Sequence, residues 1–281
     1  MVSARRSFLA AIFLGFWVST VAATAFSQSP LTVRGDRWLA VAALQGQVEI
    51  INAGGRRRAQ VGDRLANVGD SIITGNNSSA RLEVDQATGS VNMAENSQIR
   101  VQSLSITATG GRVTELYVNR GQVRLRVRPL TNPTTRLEII TPAGISGVRG
   151  TEFGVTVGPS GQTGIATEEG SVYAIAQDET VIVSTGSQSV IRPGEPPSEP
   201  VPLQDDASLN ISRLSRIPRT ELARIVGRTD PVNLLAIGGQ QQILDARGRF
   251  RLAVPLPSNG RIRAVVTTPL GNRQQYDLVL P

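Results

Sequence analysis

Apolar and polar residues alternate along most of this 281-residue chain, the period-2 pattern of strands with one buried and one solvated face. The clearest run is 121–127, where Val123, Leu125 and Val127 share one parity and Arg124, Arg126 and, just beyond it, Arg128 share the other. That arginine row reads either as a basic stripe on an exposed face or as edge protection against unwanted strand pairing. A second run, 151–157, sets Thr151, Phe153, Val155 and Val157 on one face and Glu152, Gly154 and Thr156 on the other. Shorter segments recur between Trp38 and Arg192. Gly46, Gly89, Gly121 and Gly170 each open a G-x-V element, at uneven spacing. Uneven spacing excludes a strict solenoid. Frequent glycine with dispersed Val, Ile and Thr favours short strands and turns over helices. The predicted fold is all-β, a glycine-turn-rich roll or irregular sandwich over 38–192.

The pattern then breaks. Residues 193–202 hold five prolines, a stiff extended spacer that opens a linker over 193–220. Residues 221–281 return to five or so short strands separated by Gly and Asn turns, the pattern of a small β-sandwich that lacks a core tryptophan. Sixty residues is short for a sandwich, so either its strands are trimmed or part of 209–219 joins it. At the other end, Arg5 and Arg6 precede an uncharged apolar stretch, and Ala23-Thr24-Ala25 fits a small-residue cleavage site. Residues 1–25 therefore read as a signal peptide, or as a membrane helix if retained, since the run is about long enough to cross a bilayer. Residues 5–9 also resemble a twin-arginine export core. Residues 26–37 are a polar lead-in. The expected location is periplasmic, secreted or otherwise in the cell envelope, with inner-membrane anchoring only through an uncleaved N-terminal segment.

Composition narrows the chemistry. Cysteine, histidine and lysine are all absent, so all 29 basic residues are arginine. There is no thiolate or imidazole for metal binding, no histidine base, no phosphate-loop lysine and no Schiff base. Catalysis would fall to carboxylates, hydroxyls or arginine. Glu168 and Glu169 are adjacent, so on a strand they face opposite ways and make a poor acid–base pair. No catalytic residue, metal site or cofactor is predicted. The formal net charge of +7 suits anionic partners. An export leader and few aromatics for base stacking argue against nucleic acid.

Candidate contact residues are arginines predicted to be exposed: Arg56, Arg57 and Arg58 at a glycine-marked hairpin tip, Arg124 and Arg126 on the alternating run, and Arg149. A solvated loop explains the first three equally well. Arg149 shares the parity of Phe153, so a regular strand would aim it at the core. A bulge at Gly150, or a carboxylate such as Glu152 or Glu169, would resolve this. Gly62-Asp63 and Gly69-Asp70 are two turn signals in which the aspartate caps the backbone.

Gly147-Val148-Arg149-Gly150-Thr151-Glu152-Phe153 resembles the R-G-T-x-F signature of FecR-type domains, extracytoplasmic β-domains of bacterial iron-signalling regulators. The two Gly-Asp turns resemble the first half of the same pattern. The resemblance covers roughly 38–192. It implies structural roles for Gly62, Asp63, Gly69, Asp70, Gly147, Arg149, Gly150, Thr151 and Phe153. Signalling members place a sigma-factor-holding segment and a membrane helix before this domain, whereas only seven residues precede the apolar run here. The C-terminal pattern is similar to bacterial immunoglobulin-like repeats. Together these predict an exported non-enzymatic envelope module that binds an envelope protein or an anionic surface polymer. Two alternatives stand beside it: a membrane-anchored sensory partner in FecR-like signalling, and a carboxylate-dependent glycan-active enzyme.

Overall fold

The structure, a computed structural model, describes residues 37–85, 88–148 and 150–280. The predicted leader lies outside the described residues, and so does Arg149. The described residues form strands and turns without a helix.

The first part of the chain winds between two facing sheets. β1 (Leu39–Gln45) lies in sheet I and β2 (Val48–Asn52) in sheet II, joined by a corner at Gly46. β3 (Gly55–Arg58) returns along β2 as an edge strand, and β4 (Arg64–Leu65) pairs with β1. β5 (Ser71–Thr74) adds to β2, and β6 (Ser79–Val84) adds to β1. β7 (Gly89–Met93) extends sheet I from β6, and β8 (Gln98–Ile106) extends sheet II from β5. β9 (Arg112–Val127) belongs to both sheets, its first half pairing with β8 and its second half with β7.

Beyond β9 the winding continues. β10 (Arg136–Ile140) runs parallel to the first half of β9, and β11 (Ile145–Val148) pairs with β10. β12 (Glu152–Val157) pairs with the second half of β9, and β13 (Thr163–Glu169) pairs with β12. β14 (Ser171–Ala176) and β15 (Glu179–Ser184) complete sheet II. β16 (Ser187–Ile191) and β17 (Val201–Pro202) complete sheet I. Each turn of chain adds a strand to one sheet or both, which is the predicted roll. The inward-facing residues of the two sheets, among them Leu39, Ile50, Ile72, Leu82, Leu116, Leu125, Ile139 and Phe153, make one continuous core.

Several expectations need correction. The run 121–127 is the second half of one strand, Arg112–Val127, carried across the sheet-to-sheet corner by Gly121 at φ +94°. The second half of β9 is paired on both sides, so Arg124 and Arg126 do not protect an edge. β11 begins at Ile145, five residues after β10 ends at Ile140. Gly147 lies in that strand opposite Tyr173, whose ring would sit 1.9 Å from an added Cβ. The irregularity expected at Gly150 falls in the β12–β13 ladder: Glu152 pairs with Glu169 and Phe153 with Thr167, leaving Glu168 as the extra residue.

The C-terminal part is a two-sheet sandwich. β18 (Asn210–Arg216), within the linker bounds of 193–220 but in the stretch that the sequence offered as an alternative first strand, pairs with β19 (Leu222–Arg228). β20 (Leu234–Ile237) and β21 (Gln240–Gln241) begin the other sheet. β22 (Arg249–Pro255) pairs with β19, giving the three-stranded order β18-β19-β22. β23 (Arg261–Thr267) and β24 (Arg273–Val279) complete the four-stranded order β21-β20-β23-β24. The core between them is Ala223, Ile225, Leu235, Ile237, Phe250, Ile262, Ala264, Val266 and their neighbours. Phe250 is nearly fully buried.

Candidate functional site

The second predicted alternation, 151–157, is buried on both faces. Phe153, Val155 and Val157 enter the roll core as expected. The opposite parity is covered by the sandwich. Gly154, Thr156, Gly164 and Ala166 form a saddle of small side chains on the outer face of sheet I, and two sandwich loops seat on it. A Cβ on Gly154 would lie 1.8 Å from the Pro269 carbonyl oxygen, and one on Gly164 would lie 2.4 Å from that of Val232. Only glycine permits backbone to approach a sheet this closely.

Polar side chains rim the saddle. Gln122 Nε2 donates to the Pro269 carbonyl at 2.7 Å, and Gln162 Nε2 donates to that of Pro231 at 2.8 Å. The Thr156 hydroxyl donates to the Val232 carbonyl. Gln188 Nε2 donates to Asp230 Oδ2 at 2.9 Å, and Arg273 NH2 meets Glu95 Oε1 at 3.0 Å. Between the parts lies a cleft of about 350 Å³, lined by amides and hydroxyls such as Asn77, Ser78, Asn96 and Gln122, with Leu234 and Val265 as its apolar side.

Beside the saddle sits the charged centre of the domain. Glu152 is 9% exposed and is gripped by two arginines from β9. Arg124 Nε reaches Oε1 at 3.0 Å, and Arg126 Nε reaches Oε2 at 2.7 Å. Arg124 also donates to Glu168 and to the Leu270 carbonyl of the sandwich. Burial pushes the Glu152 carboxyl up, but the Arg126 and Arg124 hydrogen bonds and charges outweigh it and hold the carboxyl below its usual range. A carboxylate held ionised in this way is unsuited to act as a general acid. Arg81, Ser90, Asn92, Arg124, Arg126 and Glu152 line one shallow depression on this face.

The other predicted contacts lie elsewhere. Arg56, Arg57 and Arg58 are on β3, the exposed edge of sheet II. Arg56 pairs with Glu49 across the hairpin, and Arg57 grips Asp63 through both terminal nitrogens at 2.8 Å. Its hydrogen bond holds the Asp63 carboxyl below the usual range despite partial desolvation. Among the described residues the Arg58 side chain reaches only the Gly46 carbonyl, at 3.4 Å. The five described arginines of the six therefore fall at two separate places, β3 and β9. Asp63 accepts from the Gln60 amide, and Asp70 from those of Ala66 and Asn67. These bonds close turns at Gly62 and Gly69, whose φ angles are +93° and +95°. Among the described residues no group of three acidic side chains converges as a metal site would require.

Two features escaped sequence reading. Arg37, at the end of the supposed lead-in, is buried and forms a forked ion pair with buried Asp85. It also donates to the carbonyls of Ser105 and Val113 and to the Thr114 hydroxyl. Nothing local marks Arg37, because its partners lie 48 to 77 residues away. The saddle was missed because its covering loops are equally remote; the run of small residues at 154–166 was its only signal.

No curated protein matches the chain. Two crystal structures of a "putative anti-sigma factor" from Parabacteroides distasonis share 13% identity with it, at TM-scores of 0.37 and 0.35, over 47% of this chain and 57% of theirs. The chain thus spans little more than half the length of those structures. A polysaccharide lyase aligns at 12% identity and a TM-score of 0.20, over 87% of this chain and 40% of that one. At these scores the likenesses carry no argument. The family model described as FecR protein matches residues 70–173, from the second Gly-Asp turn through the charged centre to β14. Within the roll, residues 70–173 are thus FecR-like in sequence.

Proposed function

We propose that this chain is a non-enzymatic extracytoplasmic regulatory module of the FecR type, acting by docking an envelope protein. The observation that carries this reading is the FecR match over 70–173. The chemistry of the domain supports it. The Glu152 carboxylate is neutralised by two arginines instead of being poised for proton transfer. The sandwich, which we take to be immunoglobulin-like, is seated on the roll through backbone carbonyls, so the two parts present one body to a partner. Arg124, Arg126, Arg149 and the Arg56–Arg58 strand remain candidate contacts, with the ion-paired ones exchanging partners on binding. The leader predicted at 1–25 would export the chain or anchor it.

The test is crosslinking in intact cells with a C-terminally tagged chain, followed by mass spectrometry. Reproducible capture of a receptor, transporter or sigma regulator is the expected result. Failure to capture any envelope protein above an untagged control would overturn the docking reading.

A further inference from the structure

The outer face of the β18-β19-β22 sheet is an arginine surface. The register fixes it: Arg213, Val226 and Arg251 are one cross-strand row, Ser215, Arg224 and Ala253 the next, and Arg228 pairs with Arg249 on the other side. The alternate parity, Ala223, Ile225 and Phe250, faces the sandwich core, so these arginines point outward. All five are exposed. Only Arg249 has an ion-pair partner among the described residues, Asp245 at 2.7 Å. Arg213, Arg224 and Arg251 converge with Ser212 and Val226 around one open depression. This differs from the charged centre of the roll, where Arg124 and Arg126 are matched by Glu152 and Glu168.

Like charges held side by side on a sheet are destabilising, with strands about 4.8 Å apart and same-face neighbours about 7 Å apart along a strand. Four unmatched guanidinium groups on such a grid call for a counter-charge from outside the chain. The geometry points to a linear acidic glycan, a polysaccharide carrying a carboxylate on successive sugars, laid along this face. A guanidinium fork matches a planar carboxylate through two parallel hydrogen bonds, and an extended polymer can present such groups in series to a flat sheet. The face carries no aromatic side chain on which bases would stack, which disfavours single-stranded nucleic acid. Its apolar side chains, such as Val226 and Ala253, are small and set among arginines, too little to enter a bilayer. It also lacks the aromatic anchors of a protein hot spot. This inference stands on the sandwich alone and does not depend on the FecR reading of the roll.

The test uses the full chain and immobilised polygalacturonate, with neutral dextran as control and phosphatidylglycerol vesicles and single-stranded DNA as competitors. The wild-type chain is expected to bind polygalacturonate and not dextran, and to release as salt rises, because exposed charges are screened. The combined variant R213S/R224S/R251S should bind at least tenfold more weakly, with an unchanged melting midpoint. If that variant melts early, Arg228→Glu, on the same face but outside the depression, is measured instead and is expected to weaken binding severalfold. The variant R112S/R120S, at two exposed arginines of the roll, should bind as the wild type does. No wild-type retention, or equal retention by the arginine variants, would overturn the proposal. So would displacement by vesicles or DNA at lower charge concentration than free polygalacturonate.

Discussion

Glu152 and Asp85 show how differently two carboxylates in one roll can be used. Asp85 and Arg37 are both nearly inaccessible, and Arg37 spends its remaining donors on two carbonyls and a hydroxyl. Removing one partner leaves a buried unpaired charge, so Asp85→Ala should cost about 3–5 kcal/mol. Replacing both, as R37M/D85A, should recover part of that loss. Urea midpoints of the three proteins check this, and a single variant no less stable than wild type would show the pair to be dispensable. Glu152 is partly exposed, and its signature is pH dependence. Its pKa in the folded chain lies below the unfolded value of about 4.3. Its contribution is therefore present above that value and is lost as pH falls through the folded pKa. Comparing urea midpoints between pH 7 and pH 3, Glu152→Gln should be less stable at pH 7 and should close the gap to wild type as acid is added. Asp63 and Asp245 titrate the same way in both proteins, so the difference isolates Glu152.

At the scale of the element, β9 organises the domain. A single strand serves both sheets because Gly121 turns it through a positive φ at the corner, where a Cβ would lie 2.4 Å from the Ser97 Cα. Backbone strain and overpacking add at such a site, so Gly121→Ala should destabilise by about 2–4 kcal/mol. Hydrogen exchange should then show β8 and β12 opening together, since they flank the two halves of β9. Exchange confined to one sheet would deny β9 its joining role. Most of the roll was legible in the sequence: Val123, Leu125 and Val127 gave their face by alternation, and glycines marked the corners. Continuity of β9 was not, because a glycine at a bend reads locally like one at a strand end. Nor was the burial of Gly154 and Thr156, which depends on loops more than 70 residues further on. For the site, the outward parity of Arg124 and Arg126 was readable, but their shared carboxylate was not. Glu152 was considered only as a partner for Arg149, and its strand pairing opposite Arg126 was not foreseen.

At the scale of the molecule, the small-residue saddle decides whether roll and sandwich behave as one body. The contacts across it are mostly donors of sheet I reaching backbone carbonyls of the loops at 231–232 and 269–270, and such bonds demand close, fixed approach. Two parts joined in this way should unfold together, in one transition seen alike by far-ultraviolet circular dichroism and by fluorescence of Trp38, the roll's tryptophan. Gly154→Val places branched carbon where the Pro269 carbonyl sits, a backbone atom that cannot swing aside as a side chain would. The roll face of β12 is untouched by the change, because Gly154 has the parity opposite to Phe153 and Val155. The expected outcome is therefore not a misfolded roll but an undocked sandwich. The variant should melt in two steps, the circular-dichroism and Trp38 curves should separate, and its radius of gyration by small-angle scattering should rise. A variant that keeps one transition at the wild-type midpoint would mean that the glycine is incidental to docking.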